Sequence, residues 1–186
     1  MTIVLQADGT AAFPALVLRP WDEGDIPTLI EIYRDPVLRR WTRMPVHDED
    51  DARQWLQTHQ RGWTEGRQCS FAVLEAERPV AHILLKELVP GKPSAEVGYW
   101  TAADARGRGI AVRALDAVSR WAFETWELER LELLHQVDNL ASCRVAQKCG
   151  YPLEGVLPAR PPFPKDGHLH VRHAGQDPEE RPLHST

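Results

Sequence analysis

The clearest alternation of apolar and polar positions lies in the middle of the chain, from Asp104 to Ala122. Apolar residues recur there at helical spacing, at Ala111, Leu115, Val118 and Ala122. Such a stripe predicts an amphipathic helix. The segment just before it, Ala95–Thr101, reads as a strand. The pattern therefore predicts a strand, a short loop and a helix in direct succession.

That loop is rich in glycine and arginine, since Gly107 and Gly109 alternate with Arg106 and Arg108. The first N–H groups of a helix have no internal partner, and the helix dipole favours negative charge there. Glycine removes the Cβ atoms that would hold an anion away. The loop is therefore a candidate phosphate site, although a purely structural turn into the helix remains an alternative.

Periodicity and turn residues predict the remaining elements. Strands are expected at Leu16–Pro20, Cys69–Glu75, Val80–Leu88, Leu131–Val137, Tyr151–Leu157 and Leu169–His173. Helices are expected at 26–33, around 37–41, from about 48 to 63, and at 140–148, with Asp25 as the N-cap of the first. We expect one mixed α/β domain over residues 1–186, with a loose lead-in at 1–14 and a loose tail at 174–186.

Composition narrows the function classes. The 186 residues carry a net charge of −5 without a long basic block, so nucleic-acid binding is not indicated. No apolar run approaches the roughly 18 residues of a membrane span. Three cysteines without a CxxC pair, and an N-terminus without a signal-peptide pattern, favour a reduced, cytoplasmic protein.

Three phosphate-binding motifs compete for the glycine loop. A P-loop requires GxxxxGK[ST], which does not occur in the sequence. A dinucleotide fingerprint requires a third glycine, where this chain has Val112, and a first βα turn rather than a preceding hairpin. The pattern that remains is R-G-x-G-x-A over Arg106–Ala111, in which the arginines add charge suited to a diphosphate.

A second segment makes the interpretation specific. It has the pattern Asn139-x-x-Ser142, followed by Lys148-x-Gly150-Tyr151. Together with Arg106–Ala111, it resembles the acetyl-CoA-binding signature of the GNAT N-acetyltransferase superfamily. The segments LVLRPWDEGDIPTLIEIYRDPVLRRW and Glu96–Trp100 are similar to the ribosomal-protein N-terminal (RimJ/RimL-type) branch. The resemblance covers about residues 16–157.

The resemblance implies a central, mostly antiparallel sheet with a splayed strand pair, flanked by helices, and acetyl-CoA as cosubstrate. It implies that the CoA pyrophosphate sits on the amides of Arg106, Gly107, Arg108, Gly109, Ile110 and Ala111. It also implies that main-chain groups of Trp100 and Thr101 bind the pantetheine arm. Asn139 either contacts the pantetheine amide or caps the following helix, and one residue can do both.

The resemblance also suggests the groups that carry the chemistry. Glu96 is the candidate general base, with an exposed strand carboxylate as the alternative interpretation. Ser142 is the candidate acid for the leaving thiolate, with a role in the helix cap as the alternative. Many superfamily members use a tyrosine at the position of Ala146, so this chain lacks the usual acid.

The histidines and cysteines receive no catalytic role. His82 and His135 fall in strands and are expected to be packed or at the surface. His168, His170 and His173 cluster, but no carboxylate or cysteine completes a metal site in the sequence, so no metal is expected. Cys143 and Cys149 have no sequence-adjacent histidine that would mark a nucleophile.

The function expected from the sequence is N-acetyl transfer from acetyl-CoA to a primary amine by direct attack on the thioester. The acceptor is a protein or peptide α-amine or a small-molecule amine, and neither nucleic acid nor membrane is a partner. A homodimer is compatible with the sequence. A non-catalytic acyl-CoA sensor or scaffold domain is the alternative, and an acyltransferase for longer chains is a third.

Overall fold

The computed structural model describes residues 3–176, and an eight-stranded sheet forms the centre of this region. The strands are β1 (Leu5–Ala7), β2 (Leu16–Pro20), β3 (Gln68–Glu75), β4 (Arg78–Lys86), β5 (Ser94–Thr101), β6 (Arg130–Gln136), β7 (Leu153–Leu157) and β8 (Gly167–His173). The helices are α1 (Ile26–Ile32), α2 (Pro36–Trp41), α3 (Glu49–Thr64), α4 (Ile110–Trp126) and α5 (Leu140–Lys148).

The spatial order of the strands is β1-β2-β3-β4-β5-β6-β8-β7. β5 and β6 pair in parallel, and the other neighbouring strands pair antiparallel. A parallel pair requires a crossover, which α4 supplies between the two strands. The predicted mixed α/β fold with a mostly antiparallel sheet is confirmed.

Two local predictions differ from the structure. Residues 5–7 form an edge strand on β2, with Ala7 buried, where the sequence predicted a loose lead-in. Three residues are too few for a periodicity to be detected. The part of the predicted loose tail from residue 177 onward lies outside the described residues.

Asp25 was predicted to cap α1, but its side chain makes no capping hydrogen bond to this helix. Its carboxylate instead accepts two hydrogen bonds from Arg19, at 2.7 and 2.8 Å. Asp22 caps the 3-10 turn that leads into α1. An acidic residue before a helix is a cap by pattern, but a nearby guanidinium is a stronger partner for a carboxylate.

Helix α4 lies against β1, β2, β4 and β5, which anchors the start of the helix beside the end of β5. Leu115, Val118 and Ala122 are buried, as the predicted stripe requires. Ala111 is only partly buried, because it lies in the first turn where the helix emerges from the glycine loop.

None of the helices in the described part of the chain has the length and apolar character of a membrane span.

Candidate active site

The central parallel pair separates along its length. β5 and β6 are paired only where residues 94–97 face residues 130–133. Beyond that point, residues 98–101 pair with β4 alone and residues 134–136 with β8 alone. The facing edges therefore carry main-chain N–H and C=O groups without a strand partner, and an extended ligand can take these positions.

A cavity of about 610 Å³ opens where the two strands diverge. Four of the residues singled out in the sequence line it, namely Glu96, Trp100, Asn139 and Ser142. Thr101 does not line the cavity, but it ends β5 at the open edge. The structure thus brings together candidate groups from β5 and α5 that are about forty positions apart in the chain.

The glycine loop follows the end of β5 and lies outside this cavity. Gly107 and Gly109 have φ values of 76° and 70°, in the left-handed region that glycine enters without strain. No side chain caps α4, and the amide of Arg113 makes the first helical bond, 3.1 Å to the carbonyl oxygen of Gly109. The amides before Arg113 therefore lack a helical acceptor, and the surface at Gly107 and Gly109 is exposed.

The sequence predicted that the arginine side chains of the loop would be available to a diphosphate, but both are paired with carboxylates. Arg106 forms an ion pair with Asp35, the N-cap of α2. Arg108 forms an ion pair with Glu75 and lies 5.5 Å from the ring centre of Phe13. Both guanidinium groups are therefore engaged by carboxylates, so the main-chain amides are the polar groups of this loop that remain open to a ligand.

Glu96 faces the cleft and is paired with a lysine. Its Oε1 lies 2.7 Å from Nζ of Lys86, the residue opposite it on β4. The Glu96 side chain is 19% exposed, and both residues line the cavity. The carboxylate is therefore shielded within the cleft, unlike the exposed strand carboxylate of the alternative interpretation.

Asn139 caps α5. Its Oδ1 accepts a hydrogen bond from the amide of Ser142 at 3.2 Å. This cap fixes the first turn of the helix, so the side chain of Ser142 is held at the cavity.

Tyr99 is a neighbour of Ser142 that the sequence reasoning did not select. Its hydroxyl is buried without a hydrogen-bond partner in the described region, and Ser142 is the polar side chain beside it. Burial raises the pKa of Tyr99 above its ordinary value, so the hydroxyl keeps its proton. The missed signal was the position of Tyr99 on the strand that also carries Glu96 and Trp100.

Neutral histidines and tryptophans form one wall of the cleft. His82 is 5% exposed, accepts a hydrogen bond from Nε1 of Trp21 at 3.0 Å, and stacks on Trp100. Burial lowers the pKa of His59 to about 4 and that of His82 well below its ordinary value. His82 is therefore packed, as predicted, and His59 is a cleft residue that the sequence reasoning missed.

Trp41 of α2 and Trp63 of α3 have different surroundings. Trp41 lines the cavity, close to the guanidinium of Arg40. Trp63 instead donates a hydrogen bond to the carbonyl oxygen of Ser70 and packs against Phe71. The one that reaches the cleft is therefore Trp41, and Trp63 belongs to the core.

A second group of side chains lies beside the cleft. His135, Cys143, His168 and His170, called the His–Cys cluster below, each offer one ligand atom, and these atoms lie within 4.8 Å of one another. No metal site was predicted because no cysteine lies close to the histidines in the sequence, but in the fold Cys143 lies beside three of them. Pairing of β6 with β8 supplies His135, α5 supplies Cys143, and His173 is exposed and not a member.

Comparison with known proteins gives a consistent family. Residues 15–152 match the family model described as "Acetyltransferase (GNAT) domain". The ribosomal-protein-serine acetyltransferase of Escherichia coli (strain K12) is 32% identical over 116 residues, which are 60% of this chain and 63% of that enzyme. The aligned region is thus less than two thirds of the enzyme's length.

Solved structures share the fold. A putative ribosomal-protein-serine acetyltransferase from Vibrio cholerae superposes with a TM-score of 0.77 at 25% identity, over 85% of this chain and 93% of that one. RimL, a ribosomal L7/L12 α-N-protein acetyltransferase solved with coenzyme A, gives a TM-score of 0.79 at 22% identity over the same shares. With the splayed strands, the glycine loop and the family match over most of its length, the chain belongs to the GNAT acetyltransferase family.

Proposed function

We propose that this protein is an acetyl-CoA-dependent N-acetyltransferase that moves the acetyl group to a primary amine by direct attack. The observation that carries the proposal is the cleft between β5 and β6, which opens beside an anion-binding loop and contains Glu96 and Ser142. Such an arrangement can hold a thioester, accept a proton from an amine and stabilise a leaving thiolate.

In this proposal the glycine loop holds the CoA pyrophosphate on the amides of Arg106–Ala111, with Ile110 and Ala111 at the first turn of α4. Support comes from the positive φ values of the glycines and from the uncapped helix start. Arg106 and Arg108 contribute directly only if the diphosphate replaces their carboxylate partners.

The pantetheine arm would lie along the open edge of β5 as an added strand, bonded to main-chain groups of Trp100 and Thr101. The unpaired edge beyond Val97 supports this role. Amide groups there would also polarise the thioester carbonyl and stabilise the oxyanion that forms on attack.

Glu96 would act as the general base. A free α-amine has a pKa near 7.7 to 8.0, so roughly a tenth of it is neutral at pH 7, whereas a lysine amine is almost entirely charged. A carboxylate acting directly or through one water therefore suffices for an α-amine. The ion pair with Lys86 holds the carboxylate of Glu96 within the cleft, where the acceptor amine would bind.

Ser142 would assist departure of the thiolate by donating a hydrogen bond to sulfur. Tyr99 lies beside Ser142 and keeps its proton, so it can support the donor or supply a second one. This pair would take the place of the helix tyrosine that Ala146 replaces. Asn139 would orient Ser142 through the α5 cap and has its amide available for the pantetheine arm.

A covalent acetyl-cysteine route has one structural argument in its favour, because Cys143 Sγ lies 3.2 Å from Nδ1 of His168. Cys143 does not line the cavity, however, so its sulfur is not presented to a thioester bound there. Direct attack therefore remains the proposed route.

The acceptor is proposed to be the α-amine of a protein or peptide, with small-molecule amines as the alternative. The E. coli relative is named for acetylation of a ribosomal protein, and RimL for α-N acetylation of one. An enzyme that uses acetyl-CoA and carries unpaired thiols would act in the cytoplasm. The proposed site is formed by one chain, so no step requires a second copy.

The function is tested by measuring thiol release from acetyl-CoA with a panel of amines: peptides with free α-amines, polyamines and aminoglycosides. We expect release with at least one peptide and none when its α-amine is blocked. No release with any amine, despite acetyl-CoA binding, would favour a non-catalytic sensor or scaffold domain. Faster release from longer acyl-CoAs would favour the longer-chain acyltransferase.

A further inference from the structure

The His–Cys cluster has no role in the proposed acetyl transfer. Its residues come from three elements: His135 from β6, Cys143 from α5, and His168 and His170 from β8. His135 also borders the cleft, whereas the other three residues do not line it. The cluster lies immediately behind Ser142, which precedes Cys143 on the helix.

Strand register explains why three imidazoles meet at one point. His135 of β6 lies directly opposite His168 of the antiparallel strand β8. His168 and His170 are two positions apart on one strand, so they project from the same face of the sheet. Helix α5 adds Cys143, whose Sγ lies 3.2 Å from His168 Nδ1 and 3.6 Å from His170 Nε2.

Main-chain carbonyl groups orient two of the rings. His170 Nδ1 lies 3.0 Å from the carbonyl oxygen of Tyr151, and His135 Nδ1 lies 2.8 Å from that of Gln136. Donation to these oxygens places the proton on Nδ1 and leaves Nε2 with a free lone pair. Backbone carbonyls orient metal-binding histidines in this way.

The Nε2 atom of His135 has no hydrogen-bond partner among the described residues, although it is buried. A buried polar nitrogen without a partner is unfavourable by roughly 1–3 kcal/mol. The ring is stacked on His170, with centroids 5.2 Å apart. A cation among the four side chains would satisfy this nitrogen and the lone pairs of its neighbours.

The distances suit a small tetrahedral ion. Bonds of about 2.0–2.1 Å to nitrogen and about 2.3 Å to sulfur place tetrahedral ligand atoms roughly 3.3–3.7 Å apart. Both sulfur–nitrogen distances in the cluster are close to this range. The four ligand atoms lie within 4.8 Å of one another, so small side-chain rotations bring all of them to bonding distance of one ion. The set contains no oxygen donor, so magnesium and calcium are unsuitable.

We propose that His135, Cys143, His168 and His170 bind one Zn²⁺ ion in a structural site. Four protein ligands close the coordination sphere, which is typical of structural rather than catalytic zinc. The ion would join β6, β8 and the first turn of α5, and so hold the helix that carries Asn139 and Ser142 against the sheet. Acetyl transfer itself would not use the metal.

The proposal is tested first by metal titration of chelator-stripped, reduced full-length protein. We expect one Zn²⁺ per chain, measured by competition with a chromophoric chelator, and an increase in melting temperature when Zn²⁺ is added. Titration with Co²⁺ should give a thiolate-to-cobalt charge-transfer band and the visible bands of tetrahedral cobalt. Absence of stoichiometric Zn²⁺ binding, or of the cobalt–thiolate band, would overturn the proposal.

Matched variants identify the ligands. Cys143→Ser and His168→Ala should weaken Zn²⁺ binding by at least about 100-fold, more than loss of an outer-shell partner typically does. Cys149→Ser at the C-cap of the same helix and His173→Ala on the same strand should bind Zn²⁺ as the wild type does. Equal affinities for Cys143→Ser and Cys149→Ser would overturn the assignment. The cobalt spectrum of the wild-type protein tests it even if a variant fails to fold.

Discussion

At the scale of single residues, an ion pair and buried neutral side chains lie together in the cleft. Glu96 and Lys86 form the ion pair across β4 and β5. Burial keeps His59 and His82 neutral, and keeps the Tyr99 hydroxyl protonated. Glu96 and Glu87 are the carboxylates that line the cavity, and Glu96 is the shielded one, so we expect it to take the proton from the amine.

Replacement of Glu96 by glutamine should lower kcat by about 10²- to 10⁴-fold, the usual contribution of a general base. Affinity for acetyl-CoA should be retained, because the change is isosteric and lies away from the glycine loop. The measurement is steady-state kinetics with a peptide α-amine, beside calorimetry of acetyl-CoA binding.

Glu132→Gln is the matched control, since Glu132 lies opposite Glu96 in the parallel register but pairs with Arg130 and does not line the cavity. The control should keep wild-type kcat. Equal losses in the two variants would remove Glu96 from the chemistry.

His59 predicts a pH dependence of stability. Its pKa is about 4 in the folded protein and near 6.5 when unfolded, so the unfolded chain binds a proton first as pH falls. The contribution of neutral, buried His59 to the free energy of unfolding is therefore fully present above pH 6.5 and is lost as the pH falls from about 6.5 to 4. It amounts to at most about 3 kcal/mol.

Denaturant unfolding from pH 7.5 to 4 measures this loss. His59→Gln should lose less stability over this interval than the wild type, with His82 retaining part of the effect. His47→Gln, at an exposed site, should behave as the wild type does. If the free energy of unfolding of His59→Gln falls with pH as steeply as that of the wild type, the burial of His59 does not cause the loss of stability.

Individual site residues were predictable from sequence only where a motif marks them. Asn139 and Ser142 stand at fixed positions of a pattern, and Glu96 follows from its place on the strand before the glycine loop. Tyr99 and His59 carry no such mark. They reach the cleft through the pairing of β5 and the packing of α3, which depend on contacts distant in sequence.

At the scale of elements, the glycine loop and α4 form the part of the proposed site that requires specific backbone geometry. Strands and helices between residues 16 and 173 were predicted well, because their periodicities are clear. The His–Cys cluster was not, since His135 and His168 meet through the register of β6 with β8. Likewise, the ion pairs of Arg106 and Arg108 depend on Asp35 and Glu75, distant residues that a local motif cannot indicate.

Gly109→Glu should abolish acetyl-CoA binding, because a carboxylate would occupy the anion position at the start of α4. Space for a Cβ atom exists there, with no heavy atom of the described residues within 4 Å, so the Cβ itself causes no clash. The positive φ of 70° adds backbone strain to the effects of the charge and the larger side chain. Calorimetry with acetyl-CoA measures the loss.

Gly91→Glu is the control for backbone strain, since Gly91 also has a positive φ, at 78°, in a loop away from the cleft. This variant should bind acetyl-CoA as the wild type does. Unchanged affinity in Gly109→Glu would remove the loop from the site.

At the scale of the whole molecule, the divergence of β5 from β6 links the fold to the proposed function. The sheet continues on both sides of the gap, through β4 on one side and β8 on the other, so the opening is held by regular structure. α4 crosses between the two strands and begins at the glycine loop, which follows the end of β5. In the proposed function, the gap and the glycine loop would hold the cofactor. Helices α2 and α3 and the segment around Phe163, which also line the cavity, would form the acceptor site.

The most direct test of the account is mass spectrometry of the protein incubated with acetyl-CoA and a peptide that has a free α-amine. We expect one acetyl group on the peptide N-terminus for each CoA thiol released, and no acetyl group on the protein when the peptide is omitted. Bound but unconsumed acetyl-CoA with every amine supplied would contradict the account, and so would an acetylated cysteine that transfers its acetyl group when the peptide is added.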